Sequence, residues 1–156
     1  MKRRGWMARL LAGAMVGAIA LLYTLSPPAL AAESALTVYR SATCRCCGDW
    51  VDHMQAAGFE VQEIVTDDMT AIKASYGVPE NLASCHTAII NNYRIEGHVP
   101  AADVQRLLRE QPDILGIAAP GMPIGAPGME MGDRLDPYAV VSFTADGETA
   151  TFAEHP

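Results

Sequence analysis

Residues 36–51 read L-T-V-Y-R-S-A-T-C-R-C-C-G-D-W-V. The first five, Leu36 to Arg40, form an apolar, β-prone run and are expected to be a strand. From Asp49 to Ala57 the residues Trp50, Val51 and Met54 recur at near-helical spacing and Gly58 supplies a stop, so a helix is expected there. Between strand and helix lie Cys44, Cys46 and Cys47. Thiols on such a turn stand at a helix N-terminus, where the dipole favours the thiolate and lowers its pKa. Three thiols within four residues exceed what a disulfide needs. They suit a soft, thiophilic ion such as Cu(I), although an even cysteine count in an exported chain also fits an ordinary disulfide framework.

Working outward, Phe59 to Val65 alternates apolar and polar residues, the pattern of a half-buried strand. Asp67-Asp68 can cap a short helix over Met69 to Tyr76, which Gly77-Val78-Pro79 ends. Thr87 to Ile90 and Tyr93 to Glu96 flank Asn91-Asn92, a hairpin signature. A helix over Ala101 to Glu110 follows Pro100. The order β-α-β-α-β-β-α, with Cys44 and Cys47 in C-x-x-C spacing after the first strand, describes an α/β, thioredoxin-like arrangement. In that arrangement the loop before the third strand faces the C-x-x-C turn. Here the loop carries Cys85-His86, so two clusters about forty residues apart are expected to meet at one site.

The last third differs. Gly116 to Gly132, G-I-A-A-P-G-M-P-I-G-A-P-G-M-E-M-G, is Gly/Pro-rich and is expected to be neither helix nor regular strand. It contains the one internal echo, Pro120-Gly-Met122 and Pro127-Gly-Met129. A hairpin of Tyr138–Phe143 and Glu148–Phe152 is expected to follow, turning at Asp146-Gly147.

The N-terminus has the layout of a secretory signal peptide. Lys2, Arg3, Arg4 and Arg9 form a basic start, Leu10 to Leu25 is apolar, and Ala29-Leu30-Ala31 supplies small residues for cleavage after Ala31. The rival is an uncleaved membrane anchor, but sixteen apolar residues fall short of the ~20 that a span needs, and Pro27-Pro28 breaks the run. The expectation is therefore a signal over 1–31, a single domain over 32–156, and a periplasmic product that does not stay in the membrane. Seven basic residues against 18 acidic ones then leave a net charge of −11. Such a surface will not grip nucleic acid or anionic lipid through phosphate contacts. An oxidising compartment requires the four cysteines to be paired, metal-bound or kept reduced.

Cys44, Cys46, Cys47 and Cys85 are the candidate ligands. Cys46 and Cys47 are neighbours whose side chains diverge, so they bridge different ions of a cluster more readily than they converge on one. Four thiolates thus suggest a polynuclear Cu(I) centre holding more than one ion. Zinc is the alternative metal, although its usual paired C-x₂₋₄-C spacing occurs only once. His86 is a further candidate, as ligand or proton donor. His98, in E-G-H-V-P, is expected to have a structural or capping role, and His53 and His155 are expected to be exposed. Met122 and Met129 each follow Pro-Gly, and their thioethers are candidate Cu(I) ligands that survive oxidising conditions; Met131 is read as packing. No Ser-His-Asp set or phosphate-binding glycine loop stands out.

Five separated motifs carry a family resemblance: T-C-R-C-C-G-D-W-V, Y-G-V-P, S-C-H-T-A, Y-R-I-E-G-H-V-P-A-A-D-V-Q-R-L-L and A-P-G-M-P-I-G-A-P-G-M-E-M-G. Together, over about Leu36 to Phe152, they resemble the CopG-type copper-resistance proteins, exported thioredoxin-like metal-binding proteins formerly of unknown function. The resemblance implies a periplasmic copper site built from the C-x-C-C and C-H motifs, with Cys44, Cys46, Cys47 and Cys85 as ligands beside His86. It implies a cysteine-bridged multicopper centre capable of redox change, and a role in copper tolerance beside other copper-handling proteins. Arg45 stands where the family usually has glycine, adding a cation beside the thiolates. Asn91-Asn92 stands where glycine is common. The expected function is a periplasmic protein that sequesters Cu(I), with interconversion of Cu(I) and Cu(II) as a copper oxidoreductase an open extension. A thiol–disulfide oxidoreductase using Cys44 and Cys47, and a structural zinc module, are the alternatives.

Overall fold

The computed structural model describes residues 35–156; the expected signal peptide and its cleavage site lie outside the described residues. Seven strands and three helices follow one another as β1 (Leu36–Arg40), α1 (Arg45–Ala56), β2 (Val61–Val65), α2 (Met69–Ser75), β3 (Thr87–Ile90), β4 (Tyr93–Glu96), α3 (Ala101–Glu110), β5 (Gly116–Ala118), β6 (Tyr138–Phe143) and β7 (Thr149–His155). One mixed sheet orders them β2-β1-β3-β4-β5-β6-β7. The parallel β1–β2 pair crossed by α1, followed by antiparallel β3 and β4, is the thioredoxin-like core expected from the sequence.

Strand alternation assigns the two faces of that core. Val38, Ala88, Ile95 and Ile117 lie opposite one another across β1, β3, β4 and β5, and all are fully buried. They join Trp50, Val51 and Met54 of α1 and Val104 and Leu107 of α3 in one apolar cluster, so both helices cover this face. The Trp50 indole N–H donates to the Val99 carbonyl at 2.8 Å, which satisfies the one polar atom that burying the ring would strand. The other face carries Tyr39, Thr87 and Glu96 in register. Over it lies α2, capped by Asp68, whose carboxylate accepts from the Ala71 N–H at 2.9 Å. Tyr76, just past its end, meets Tyr39 hydroxyl to hydroxyl at 2.8 Å.

Three expectations about the elements are corrected. The helix begins at Arg45 rather than Asp49, which places Cys46 and Cys47 within its first turn. And the Gly/Pro-rich stretch opens with a regular strand, β5, parallel to β4. Gly116 makes that possible, because a Cβ there would overlap the Arg94 carbonyl and meet the Phe143 ring at 2.8 Å. Ile117 and Ala118 then bury completely. Composition signalled the glycine as a breaker, whereas its use is the close approach of two backbones. The terminal hairpin also runs further than expected, to His155, whose Nε2 lies 2.7 Å from the Asp103 carboxylate while its ring stacks on Tyr138.

Candidate metal centre

Cys44 is the N-cap residue of α1, in extended conformation and without a side-chain cap. Cys46 and Cys47 follow in a first turn that contains no acidic residue, so nothing there opposes the field of the helix N-terminus. Cys47 points into the core and is buried; Cys44 and Cys46 are half-buried. The neighbouring pair thus differs in burial, while the sulfurs of Cys44, Cys46, Cys47 and Cys85 all lie within 4.8 Å of one another. Cys44 and Cys47 are joined as a disulfide with Cα atoms 5.4 Å apart, and Cys46 and Cys85 are free thiols. The Cys46 sulfur is 3.6 Å from that of Cys44.

Cys85 comes from the loop entering β3 and brings imidazoles with it. Its sulfur is 3.4 Å from His86 Nδ1 and 3.0 Å from His98 Nε2, and these three residues form a second compact donor group. Both histidines are buried. Burial first, then the nearby His98 and the Lys73 ammonium, holds His86 well below the ordinary histidine pKa. Burial also lowers His98, against the opposing pull of the Pro127 carbonyl, Glu130 and Asp49. Both are thus neutral at pH 7, the form that ligates metals. His98 has its tautomer set: Nδ1 donates to the Pro127 carbonyl at 2.8 Å, leaving the Nε2 lone pair facing Cys85. His86 packs on the Trp50 ring, centroids 4.4 Å apart, and its Nε2 has no hydrogen-bond partner.

Burial, with a smaller push from Cys46, raises the Cys85 thiol to about 11. Without a cation it keeps its proton at neutral pH, and a bound metal must displace that proton. The donor chemistry fits a soft cation: sulfurs and neutral imidazoles, with no carboxylate among the residues that converge.

His98 is the donor for which sequence reasoning expected only a structural role. The signal lies in the hairpin register. Ile90 pairs with Tyr93 and Thr87 with Glu96; continuing that pairing past the strands sets position 98 opposite 85. Of the methionines, Met122 is 57% exposed and Met129 is half-buried. What positions both is backbone. The Ser84 hydroxyl donates to the Gly121 carbonyl, beside Met122. Gly128, beside Met129, rests on α1 so closely that a Cβ there would lie 2.7 Å from the Cys46 carbonyl oxygen. Each Pro-Gly-Met unit is thus seated against one of the two cysteine motifs. His53, expected to be exposed, is half-buried, and its Nε2 accepts from the Ala101 N–H at 3.1 Å.

Comparison with known proteins agrees with this geometry. Residues 82–129, which include Cys85, His86, His98 and both Pro-Gly-Met units, match the family model described as protein of unknown function DUF411. No curated protein matches. Two solved structures, of copper resistance protein CopG in form 2 and form 1, are each 51% identical to this chain with a TM-score of 0.75. They cover 78% and 80% of this chain, and it covers 98% of each of theirs. With an α/β core, a cysteine–histidine centre and this degree of identity, the chain belongs to the CopG family of copper resistance proteins.

Proposed function

We propose that this chain is an exported copper-binding protein that confers copper resistance by sequestering Cu(I), with residues 1–31 directing export to the periplasm and 32–156 forming the copper domain. The observation that carries the reading is the convergence on Cys85 of three further sulfurs, from Cys44, Cys46 and Cys47, and of two neutral imidazoles. Cys44, Cys46, Cys47 and Cys85 bridge the ions, His86 and His98 complete the coordination, and Met122 and Met129 supply thioethers at the rim. Half-buried sulfurs let copper enter, while the buried imidazole side withholds water from the soft cation. No helix among the described residues is long and apolar enough to cross a membrane. Its exchange partners are other periplasmic copper-handling proteins.

The Cys44–Cys47 disulfide supports a redox extension of the same reading. Closing it from the dithiol releases two electrons and two protons, which balances the reduction of two Cu(II) ions to Cu(I). It equally favours the second reading, a thiol–disulfide oxidoreductase, in which Cys46, Cys85 and both histidines would be surplus. Titration of the reduced, anaerobic protein with Cu(I) and with Zn(II), followed by metal analysis, decides between them. The copper reading expects more than one Cu(I) per chain and Cu(I) outcompeting zinc. A single ion, or tight zinc with negligible Cu(I), sinks it.

A further inference from the structure

Glu96 is fully buried, ligates nothing in the proposed set, and yet brackets two of its members. Its Oε1 accepts from the Ser84 backbone N–H at 2.6 Å, and its Oε2 accepts from the Thr87 hydroxyl at 2.7 Å. Ser84 and Thr87 are the residues on either side of Cys85-His86. The Lys73 ammonium, from α2, pairs with Oε1 at 2.6 Å and donates to the Thr87 hydroxyl at 3.0 Å. The next residue continues the clamp: the Gly97 N–H donates to the His86 carbonyl at 3.0 Å. His98 then meets Cys85 itself at 3.0 Å. The segment Glu96-Gly97-His98 is therefore a template against which residues 84–87 are laid.

We propose that Glu96, held by Lys73, is a positioning residue of the metal centre that fixes the Cys85–His86 arm against the cysteine turn of α1. The proposal rests on the copper reading for its consequence, but the clamp itself is a property of the chain. A buried carboxylate that satisfies a backbone N–H, a hydroxyl and an ammonium at once tolerates little movement of any of them. Removing the charge leaves the Ser84 N–H with a weaker acceptor and the Lys73 ammonium without its counter-charge. The arm then samples positions in which Cys85 no longer faces Cys46 and His98. Outer-shell groups that orient ligands are commonly worth 10–100-fold in metal affinity.

The test uses Glu96→Gln and the pair Thr87→Val and Thr87→Ser, each compared with the unaltered protein. Three quantities are measured: Cu(I) affinity by competition, the ultraviolet thiolate-to-copper absorption at saturation, and the alkylation rate of Cys85 in the metal-free, disulfide-containing form. Peptide mass analysis separates Cys85 from Cys46 in the last of these. Glu96→Gln is expected to weaken Cu(I) binding about 10–100-fold, to change the absorption envelope, and to speed Cys85 alkylation about tenfold while Cys46 keeps its rate. Thr87→Val is expected to shift all three in the same direction, and Thr87→Ser, which keeps the hydroxyl, to restore them. A general loss of stability would lower the melting temperature without changing the absorption at saturation. If Glu96→Gln does not fold, the Thr87 pair decides. Unchanged affinity, absorption and Cys85 rate, or Thr87→Ser behaving like Thr87→Val, overturns the proposal while leaving the copper reading intact. Failure of the unaltered protein to bind Cu(I) overturns the copper reading, and the Cys85 alkylation rates then decide the clamp.

Discussion

The two halves of the sheet serve the metal centre by different means. From β1 to α3 the chain contributes donor side chains: three cysteines in the first turn of α1 and its N-cap, and Cys85, His86 and His98 at the mouth of the β3–β4 hairpin. From β5 onward no cysteine remains, and beside the proposed Met122 and Met129 thioethers the contribution is backbone. The Pro127 carbonyl fixes the His98 tautomer, the Gly121 carbonyl holds Ser84, and Gly128 lies flat on the first turn of α1. The first half chooses the chemistry and the second holds its shape. Substitutions in the two halves should therefore fail differently, by loss of affinity in the first and by loss of geometry or stability in the second.

The largest effect is expected from Cys85→Ser, the one residue shared by the sulfur and imidazole groups. Cu(I) affinity should fall by at least about 100-fold, since outer-shell partners alone account for 10–100-fold. On the rival oxidoreductase reading, reduction of disulfide substrates would instead continue unchanged, because Cys44 and Cys47 remain. Parallel measurement of both on the same variant breaks the comparison if copper binding survives. Next is Gly116→Ala in β5. Its Cβ meets backbone that cannot yield, so stability should drop by about 3 kcal/mol, the upper part of the overpacking range, read by denaturant titration. Gly128→Ala is smaller in stability, at about 1–2 kcal/mol for a left-handed backbone at φ 81°. It should nevertheless also weaken Cu(I) binding by displacing the loop from Cys46. A loss of stability with unaltered affinity would show that the loop does not shape the site.

Replacing Met122 and Met129 together by Leu preserves volume and apolarity, so the melting temperature should hold. If their thioethers are ligands, as proposed, Cu(I) affinity should weaken in that double variant; no change would confine the second half to backbone support. The smallest effect is expected at the far end of the sheet. Burial, and secondarily Asp103, raises the Tyr138 phenol to about 12. An unfolded tyrosine ionises near 10, so the folded state holds its proton longer and stability falls as pH rises from 10 through 12. Tyr138→Phe should flatten that alkaline slope and leave copper binding at neutral pH untouched, which melting curves across that range would check.

The two halves also differ in how far they could be read from sequence. The apolar β-prone run in Leu36–Arg40 and the helical spacing in Trp50, Val51 and Met54 depend on neighbours along the chain; the strand stands where it was expected, and the helix does too, apart from beginning four residues earlier. The meeting of Cys85 with the cysteine turn followed from topology alone. His98 was within reach only by carrying the hairpin register two residues past the strand, and E-G-H otherwise suggests a cap before α3. Glu96 gave no sign at all, since a glutamate on a short strand usually faces water; its burial depends on Lys73 arriving from a helix 23 residues earlier. Gly116 and Gly128 looked like breakers because composition records flexibility and is silent about which backbone comes close.

The β3–β4 hairpin works as a ruler whose length matters more than its lettering. Asn91 takes the positive φ of the turn, 52°, a conformation that asparagine tolerates and glycine adopts freely. Either residue type can therefore drift into this corner without moving anything downstream. Length is another matter. Adding or deleting one residue at the turn would offset β4 by one step, sending Ile95 out of the core and turning His98 away from Cys85. Across descendants of this sequence the corner should accept many spellings and almost no insertions, so that gaps in an alignment would gather in other loops and spare residues 91 and 92.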